Sequence, residues 1–299
     1  MVLDELRALL ARHARPDLGT AIGGVLISRV EAPTKPATSM SGVVLALVAQ
    51  GAKSLAVGDR FYEYRAGQYL VASVDLPITG QFTEASPERP ALGFGLALQP
   101  SAVAELLLQA DPAGIPRAGH GPPPGVAVSD APAELLDAVV RLLRLLDAPR
   151  DAQVLAPLIK REILWRLITG EQGATIRQLG LADSGLVCIA RAVRWIREHY
   201  AESFRVQDVA RLSGMSVSAF YRNFQAVTAM SPIQFQKQIR LQEARLLLAA
   251  RRGDVTGVGY AVGYDSPSQF SREYRRQFGA PPSRDAGRLA AAGAPATLP

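Results

Sequence analysis

Two short helix-like segments repeat each other near the C-terminus. Phe220-Tyr221-Arg222-Asn223-Phe224 matches Phe270-Ser271-Arg272-Glu273-Tyr274 at a spacing of 50 residues. Each carries two aromatic residues at i and i+4, which on a helix fall on one side and bury together. The other side stays polar: Ser218, Tyr221, Arg222 and Gln225 in the first copy, Ser268, Gln269, Ser271, Arg272, Arg275 and Arg276 in the second. Guanidinium forks, hydroxyls and amides on one exposed helix face can hydrogen-bond to phosphate oxygens and to base edges. A single such segment reads equally well as an ordinary helical hairpin with a solvated face. Two copies with arginine at the matched position, Arg222 and Arg272, favour a nucleic-acid-reading face.

The surrounding residues supply the elements needed to present these faces. Val209–Met215 pairs with Val258–Tyr264 at an offset of 49. In each copy a short helix is predicted to stop at a glycine, Gly214 or Gly263, because glycine accepts the left-handed conformation of a helix stop. A serine, Ser216 or Ser266, then caps the next helix. This is the grammar of a helix-turn-helix. Between the copies, Ser231 caps and Pro232 takes the first position of a helix predicted to run to Ala250. Its 19 residues give a strut of roughly 28 Å, comparable to the roughly 34 Å of one DNA turn. Helices are predicted at 185–201, 206–213, 217–228, 232–250, 255–262 and 267–278. Gly257 and Gly259 lie inside the fifth, and about 1 kcal/mol per glycine relative to alanine would loosen it. The Ala-, Gly- and Pro-rich stretch 285–299 is expected to be disordered.

Upstream the pattern changes. Residues 3–15 read as an amphipathic helix, and 22–98 as β-rich. Runs at Val25–Val30, Val43–Val48, Tyr69–Val74 and Leu92–Leu98 are bounded by turn residues. Gly58-Asp59 and Ala66-Gly67 fit hairpin turns. Closely spaced strands without intervening helices suggest a sandwich or small barrel. A helix at 101–109, a Pro/Gly-rich loop at 112–124, and helices at 131–147 and 152–169 follow, the last ending at Gly170. The apolar stripe of 131–147 is wider than one core face requires; this helix and 152–169 would give a dimer seam or pack against the C-terminal part. The polar, Gly-rich 171–184 reads as a linker. The expected domains are thus 1–170, a linker at 171–184, 185–284, and a tail.

Charge follows the same division. Residues 191–299 carry 16 Lys and Arg against 8 Asp and Glu, while 1–190 hold 17 against 19. A basic C-terminal part joined to a slightly acidic N-terminal part points to a polyanionic partner for the former. The single cysteine, Cys188, excludes an intrachain disulfide and, with no secretory signal evident, fits a cytoplasmic protein. The longest apolar run, Val43–Ala49, is too short to cross a bilayer. Three histidines, His13, His120 and His199, leave residues 14–119 without any, so a His-ligated metal site among the strands is not expected and no cofactor is implied. His199 and Cys188 read as packing residues, Tyr62, Tyr64 and Tyr69 as core, and Asp75 and Glu84 are too far apart in sequence to argue a carboxylate pair.

Several motifs together resemble the AraC/XylS family of transcription regulators. They are Asp208-Val209-Ala210 through Gly214-Met215-Ser216, Ser231-Pro232, Val262 through Tyr264-Asp265-Ser266-Pro267-Ser268-Gln269-Phe270-Ser271-Arg272-Glu273-Tyr274, and Arg276 through Phe278-Gly279 to Pro281-Pro282. Leu47-Val48-Ala49-Gln50-Gly51-Ala52-Lys53, Gly58-Asp59, Gly67, Tyr69, Val74-Asp75-Leu76-Pro77 and Thr83-Glu84-Ala85-Ser86-Pro87 resemble the sensor domain of one branch of that family. The resemblance implies an α+β protein: an N-terminal cupin-like β-barrel with flanking helices, and a C-terminal all-α tandem helix-turn-helix domain. It places Ser218, Tyr221, Arg222, Ser268, Gln269 and Arg272 where bases are read, and makes Gln225, Lys237, Arg240, Arg275 and Arg276 candidates for phosphate contacts. It also implies double-stranded DNA as partner, a small-molecule effector of unknown identity and pocket, a homodimer, and RNA polymerase as a further candidate partner. Two other readings compete. One is a metal-dependent cupin enzyme fused to a helical module. The other is an interaction protein that has lost DNA binding through the helix around Gly257 and Gly259.

Overall fold

The computed structural model describes residues 2–110, 123–181, 184–250 and 254–292, and side chains as far as 288. Most of the Pro/Gly-rich loop expected at 112–124 lies outside the described residues. The chain divides into two compact units, Met1–Cys188 and, from Ile189 onward, Ile189–Gln225 with Met230 and beyond.

The first unit opens with helix α1 (Val2–His13), which packs Leu6, Leu9 and Leu10 inward. Eight strands follow: β1 (Val25–Val30), β2 (Ala37–Met40), β3 (Val44–Gln50), β4 (Ala52–Val57), β5 (Arg60–Arg65), β6 (Gln68–Ala72), β7 (Pro77–Glu84) and β8 (Ala91–Ala97). Helix α2 (Pro100–Gln109), strand β9 (Val126–Asp130), helices α3 (Ala133–Arg144), α4 (Pro149–Thr169) and α5 (Gly173–Gly180) complete it. The strands form two antiparallel sheets, β1-β8-β3-β6-β9 and β2-β7-β4-β5. The expected barrel is therefore not closed; the cupin-like strands stay in two sheets.

The two expected hairpins diverge. Gly58-Asp59 joins β4 to β5, whose register runs from Val57↔Arg60 to Ala52↔Arg65. Ala66-Gly67 instead carries the chain from one sheet to the other, because β5 and β6 belong to different sheets. A two-residue turn signal fixes a local reversal and leaves open which strand supplies the hydrogen bonds. The four-residue strand β2, Ala37–Met40, had no apolar run to reveal it.

Helix α3 explains its own wide stripe. Leu135, Leu136, Val139, Val140, Leu142 and Leu143 are all buried, with α1 packed against the helix on one side and α4 on another. The stripe is thus covered within its own unit, which removes it as a dimer seam. Arg144 and Glu5 clamp α3 to α1 with bonds of 2.6 and 2.9 Å. The segment 171–184 also departs from a linker: α5 occupies most of it, buries Ile176 and Leu179, and packs on α2 and α4. Its Arg177 donates to the Ile168 carbonyl at 2.7 Å. A polar, Gly-rich composition concealed two apolar residues at helical spacing.

The second unit is helical. Helix α6 (Gly185–Glu198) leads into α7 (Val206–Leu212), α8 (Val217–Thr228), α9 (Pro232–Ala250), α10 (Val255–Ala261), α11 (Pro267–Phe278) and α12 (Pro282–Ala292). Helix α12 corrects the expected tail at 285–299. Its Asp285 is 5% exposed and accepts from Tyr274 at 2.8 Å and from Arg245 at 3.0 Å. A buried, satisfied carboxylate ties the segment down despite its Ala-rich composition; residues 293–299 lie outside the described residues.

Candidate nucleic-acid interface

Each repeated copy folds as a short helix, a turn and a second helix. Gly214 and Gly263 adopt φ of 70° and 86°, the left-handed region that stops α7 and α10 and turns the chain. Ser216 accepts from the Ala219 amide, and Ser266 from the Gln269 amide, both at 3.3 Å. Ser231 and Gln234 cap α9 reciprocally, the Gln234 amide donating to Ser231 Oγ at 3.2 Å and the Ser231 amide to Gln234 Oε1 at 2.8 Å. That exchange satisfies two otherwise orphan donors of the strut.

The aromatic pairs are buried as their spacing requires. Phe220 and Phe224 are fully buried, 5.4 Å apart, and Phe224 meets Phe235 of α9 edge-on at 5.6 Å. In the second copy Phe270 and Tyr274 sit in a core with Leu241, Ala244, Leu248, Val258 and Val262. Gly257 and Gly259 do not break α10. The Gly257 amide donates to the Asp254 cap at 2.8 Å. Gly259 lies against the Phe270 ring, where an added Cβ would stand 3.1 Å from ring carbon Cδ1. The absent side chain lets α11 pack closely on α10.

With their aromatic sides anchored, α8 and α11 leave Ser218, Tyr221, Arg222, Gln225, Ser268, Gln269, Arg272, Arg275 and Arg276 exposed. Arg222, Arg272, Arg275 and Arg276 have neither ion pair nor hydrogen bond among the described residues. Unpaired guanidinium groups on one helix face are ready donors for an anion.

Two other candidates already have partners within the fold. Arg240, expected at phosphate, donates to the carbonyls of Tyr200 at 2.7 Å, Gly263 at 2.6 Å, Glu202 at 3.1 Å and Ala201 at 3.3 Å. Its fork staples the chain just after α6 to the second turn, rather than standing free as the other arginines do. Lys237 donates to Glu273 at 3.0 Å and keeps 41% of its side chain exposed. Gln269 donates to the same carboxylate at 3.3 Å, and the Tyr264 hydroxyl at 2.8 Å. Burial pushes the Glu273 carboxyl up, but the bonds from Lys237, Tyr264 and Gln269 outweigh it and hold it below its ordinary value. The sequence signal for Glu273 is its position four residues after Gln269.

The remaining chemistry-bearing residues are structural. His199 stacks on Trp195 at 4.4 Å and its Nδ1 meets the Trp195 carbonyl at 2.9 Å. Asp75 accepts from the Gly42 amide at 2.9 Å. Tyr64 and Tyr69 are 2% exposed, while Tyr62 and Cys188 are partly buried. Among the described residues no group of three His, Cys, Asp or Glu side chains comes together to hold a metal, and no helix is long and apolar enough to cross a membrane.

Paired helix-turn-helix units behind a two-sheet domain define a class of DNA-binding regulator. A family profile described as the AraC-type transcriptional regulator N-terminus matches residues 21–175, and one described as a helix-turn-helix domain matches 209–287. The chain belongs to the AraC-type transcriptional regulators. It is similar to the regulator ExsA of Pseudomonas aeruginosa, 28% identical over 167 residues, 54% of this chain and 58% of ExsA. It is also similar to the activator RhaS of Escherichia fergusonii, 26% identical over 147 residues, 48% of this chain and 51% of RhaS. The chain thus spans only about half the length of these curated relatives. Its fold matches crystallised ToxT of Vibrio cholerae with a TM-score of 0.55 at 10% identity, over 91% of this chain and 100% of ToxT.

Proposed function

We propose that this chain is a cytoplasmic, sequence-specific regulator of transcription that reads double-stranded DNA through α8 and α11 and responds to a small effector bound in its first unit. The observation that carries the reading is the duplicated exposed face, with Arg222 and Arg272 unpaired at matched positions. Arg222, Ser218 and Tyr221 would read bases in one major groove, and Arg272, Ser268 and Gln269 in the next, with guanine O6 and N7 suited to the arginines. Gln225, Lys237, Arg275 and Arg276 would contact phosphates. An effector role for the first unit is supported by a fold neighbour: ToxT has been crystallised with an unsaturated fatty acid, at a TM-score of 0.56 and 9% identity to this chain. RNA polymerase would be the downstream partner.

A homodimer completes the reading, seated on α4 rather than α3. Val154, Leu155 and Leu158 are 67%, 42% and 59% exposed and share one side of α4, so a second copy's α4 could cover them. Light scattering on Val154→Glu/Leu158→Glu against the parent chain tests this: the variant should be a monomer and the parent a dimer.

Genome-wide footprinting with the purified chain tests the main reading. A small set of sharp sites with a shared two-part sequence supports it. Binding that is uniform along the genome, or no binding to duplex DNA at low salt, refutes it.

A further inference from the structure

A Ser-Pro-x-Gln run opens two helices of the second unit, Ser231–Gln234 at α9 and Ser266–Gln269 at α11. At this spacing the glutamine is expected to turn back and accept from the amide of its own capping serine. Gln234 does so, at 2.8 Å. Gln269 does not: its side-chain amide reaches forward one turn and donates to Glu273 Oε1 at 3.3 Å. Four residues beyond Gln234 stands the uncharged Gln238. The acid at the corresponding place in α11 is what separates the two cases.

Glu273 is itself fixed. Tyr264 donates to its Oε2 at 2.8 Å and Lys237 to its Oε1 at 3.0 Å, and only 12% of the side chain is exposed. With both oxygens engaged, Glu273 is not placed to accept from cytosine N4 as a free glutamate would. An ionised carboxylate accepts and never donates, so the end of the Gln269 amide that faces it must be the nitrogen. One N–H is taken by Glu273. The second N–H and Oε1 have no partner among the described residues. Gln269 is exposed in the first turn of α11, where a recognition helix meets base edges.

One donor beside one acceptor is the complement of adenine, whose N7 accepts and whose N6 amino group donates in the major groove. Guanine presents two acceptors there, O6 and N7, and would need both amide protons. We propose that Glu273 is a positioning residue that fixes Gln269 to read adenine in the second half of the operator. The first copy has Ala219 at the place matching Gln269 and Asn223 at the place matching Glu273, so this contact belongs to one half-site and gives the operator a direction. The inference rests on the DNA-reading proposal above and adds a base and the residue that selects it.

Selection from random duplexes with the full chain supplies an operator, and gel shifts with every base at every position read the preferences. In the parent chain one position should favour adenine over each other base about tenfold, and Gln269→Ala should abolish that preference there alone. Replacing that adenine by 7-deazaadenine or by purine, which remove N7 and the N6 amino group in turn, should each weaken parent binding about fivefold and leave Gln269→Ala indifferent. Glu273→Gln is isosteric but donates as well as accepts, so Gln269 can turn over and offer both protons. Guanine should then come within about twofold of adenine at that position, with the preferences set by Arg222 and Arg272 unchanged; loosened helix packing alone does not produce that pattern. Glu273→Ala is the second variant if Glu273→Gln does not fold, and should match Gln269→Ala at the same position. An adenine preference that survives both Glu273 variants, a Gln269-dependent preference for another base, or unchanged preferences in Gln269→Ala overturns the inference while the DNA-reading proposal stands. If no duplex is selected, both fall.

Discussion

The Tyr274 hydroxyl donates a 2.8 Å hydrogen bond to the buried Asp285 carboxylate, joining the second recognition helix to the last helix of the chain. Arg245 of α9 closes the triangle with a 3.0 Å bond to the same oxygen. Tyr274 is held protonated: burial, and then Asp285 itself, push its pKa upward. The angle at which α11 presents Arg272 therefore depends on Asp285, eleven positions beyond Tyr274.

Asp285→Ala should leave the Tyr274 hydroxyl and the Arg245 guanidinium without their acceptor. A loss of about 1–3 kcal/mol is expected, read as a lowered urea midpoint. Tyr274→Phe removes only the donor and should cost less.

Arg222→Ala should weaken binding to the chain's own operator by about 1–3 kcal/mol and relax preference at one base pair. Gel shifts with single-base operator variants measure both. Unchanged affinity and unchanged preference would take Arg222 out of base reading.

Arg240 and Arg275 should separate cleanly. Arg275→Ala should reduce the slope of log affinity against log salt by about 1 and leave the melting temperature in place. Arg240→Ala should lower the melting temperature, because the Gly263 and Ala201 carbonyls lose this donor and those of Tyr200 and Glu202 keep only Gln236, and leave the salt slope alone. Melting curves beside salt titrations give the answer.

Gly259→Ala should destabilise the second unit despite alanine's better helix propensity. The added methyl group meets the Phe270 ring at 3.1 Å, and overpacking of this kind costs about 1–3 kcal/mol. Thermal melts of the full chain should show the loss; a gain would mean that the ring yields.

Glu273 gives stability a defined pH dependence. Its folded pKa is held below the ordinary 4.5, so the folded state binds its proton less readily than the unfolded chain does. Its contribution is fully present above that ordinary value and is lost as pH falls through the folded one. Glu273→Gln should flatten the acid limb of the stability curve, measured by urea melts from neutral pH downward.

Most helices of the second unit were legible in the sequence, α12 being the exception. Helices 217–228, 232–250 and 267–278 could be read directly, because helix stops, serine caps and i, i+4 aromatic pairs act within a few residues of one another. The exposed face of Ser218, Arg222, Ser268 and Arg272 followed from the same local period. The remainder depends on contacts between distant segments. Arg240 looks like any other basic residue until the fold brings Tyr200 and Gly263 to its fork. Gly259 looks like a defect until Phe270 is laid on it. Local periodicity sets what a segment becomes; long-range pairing sets what each side chain meets, and that pairing is not written in any single stretch of the chain.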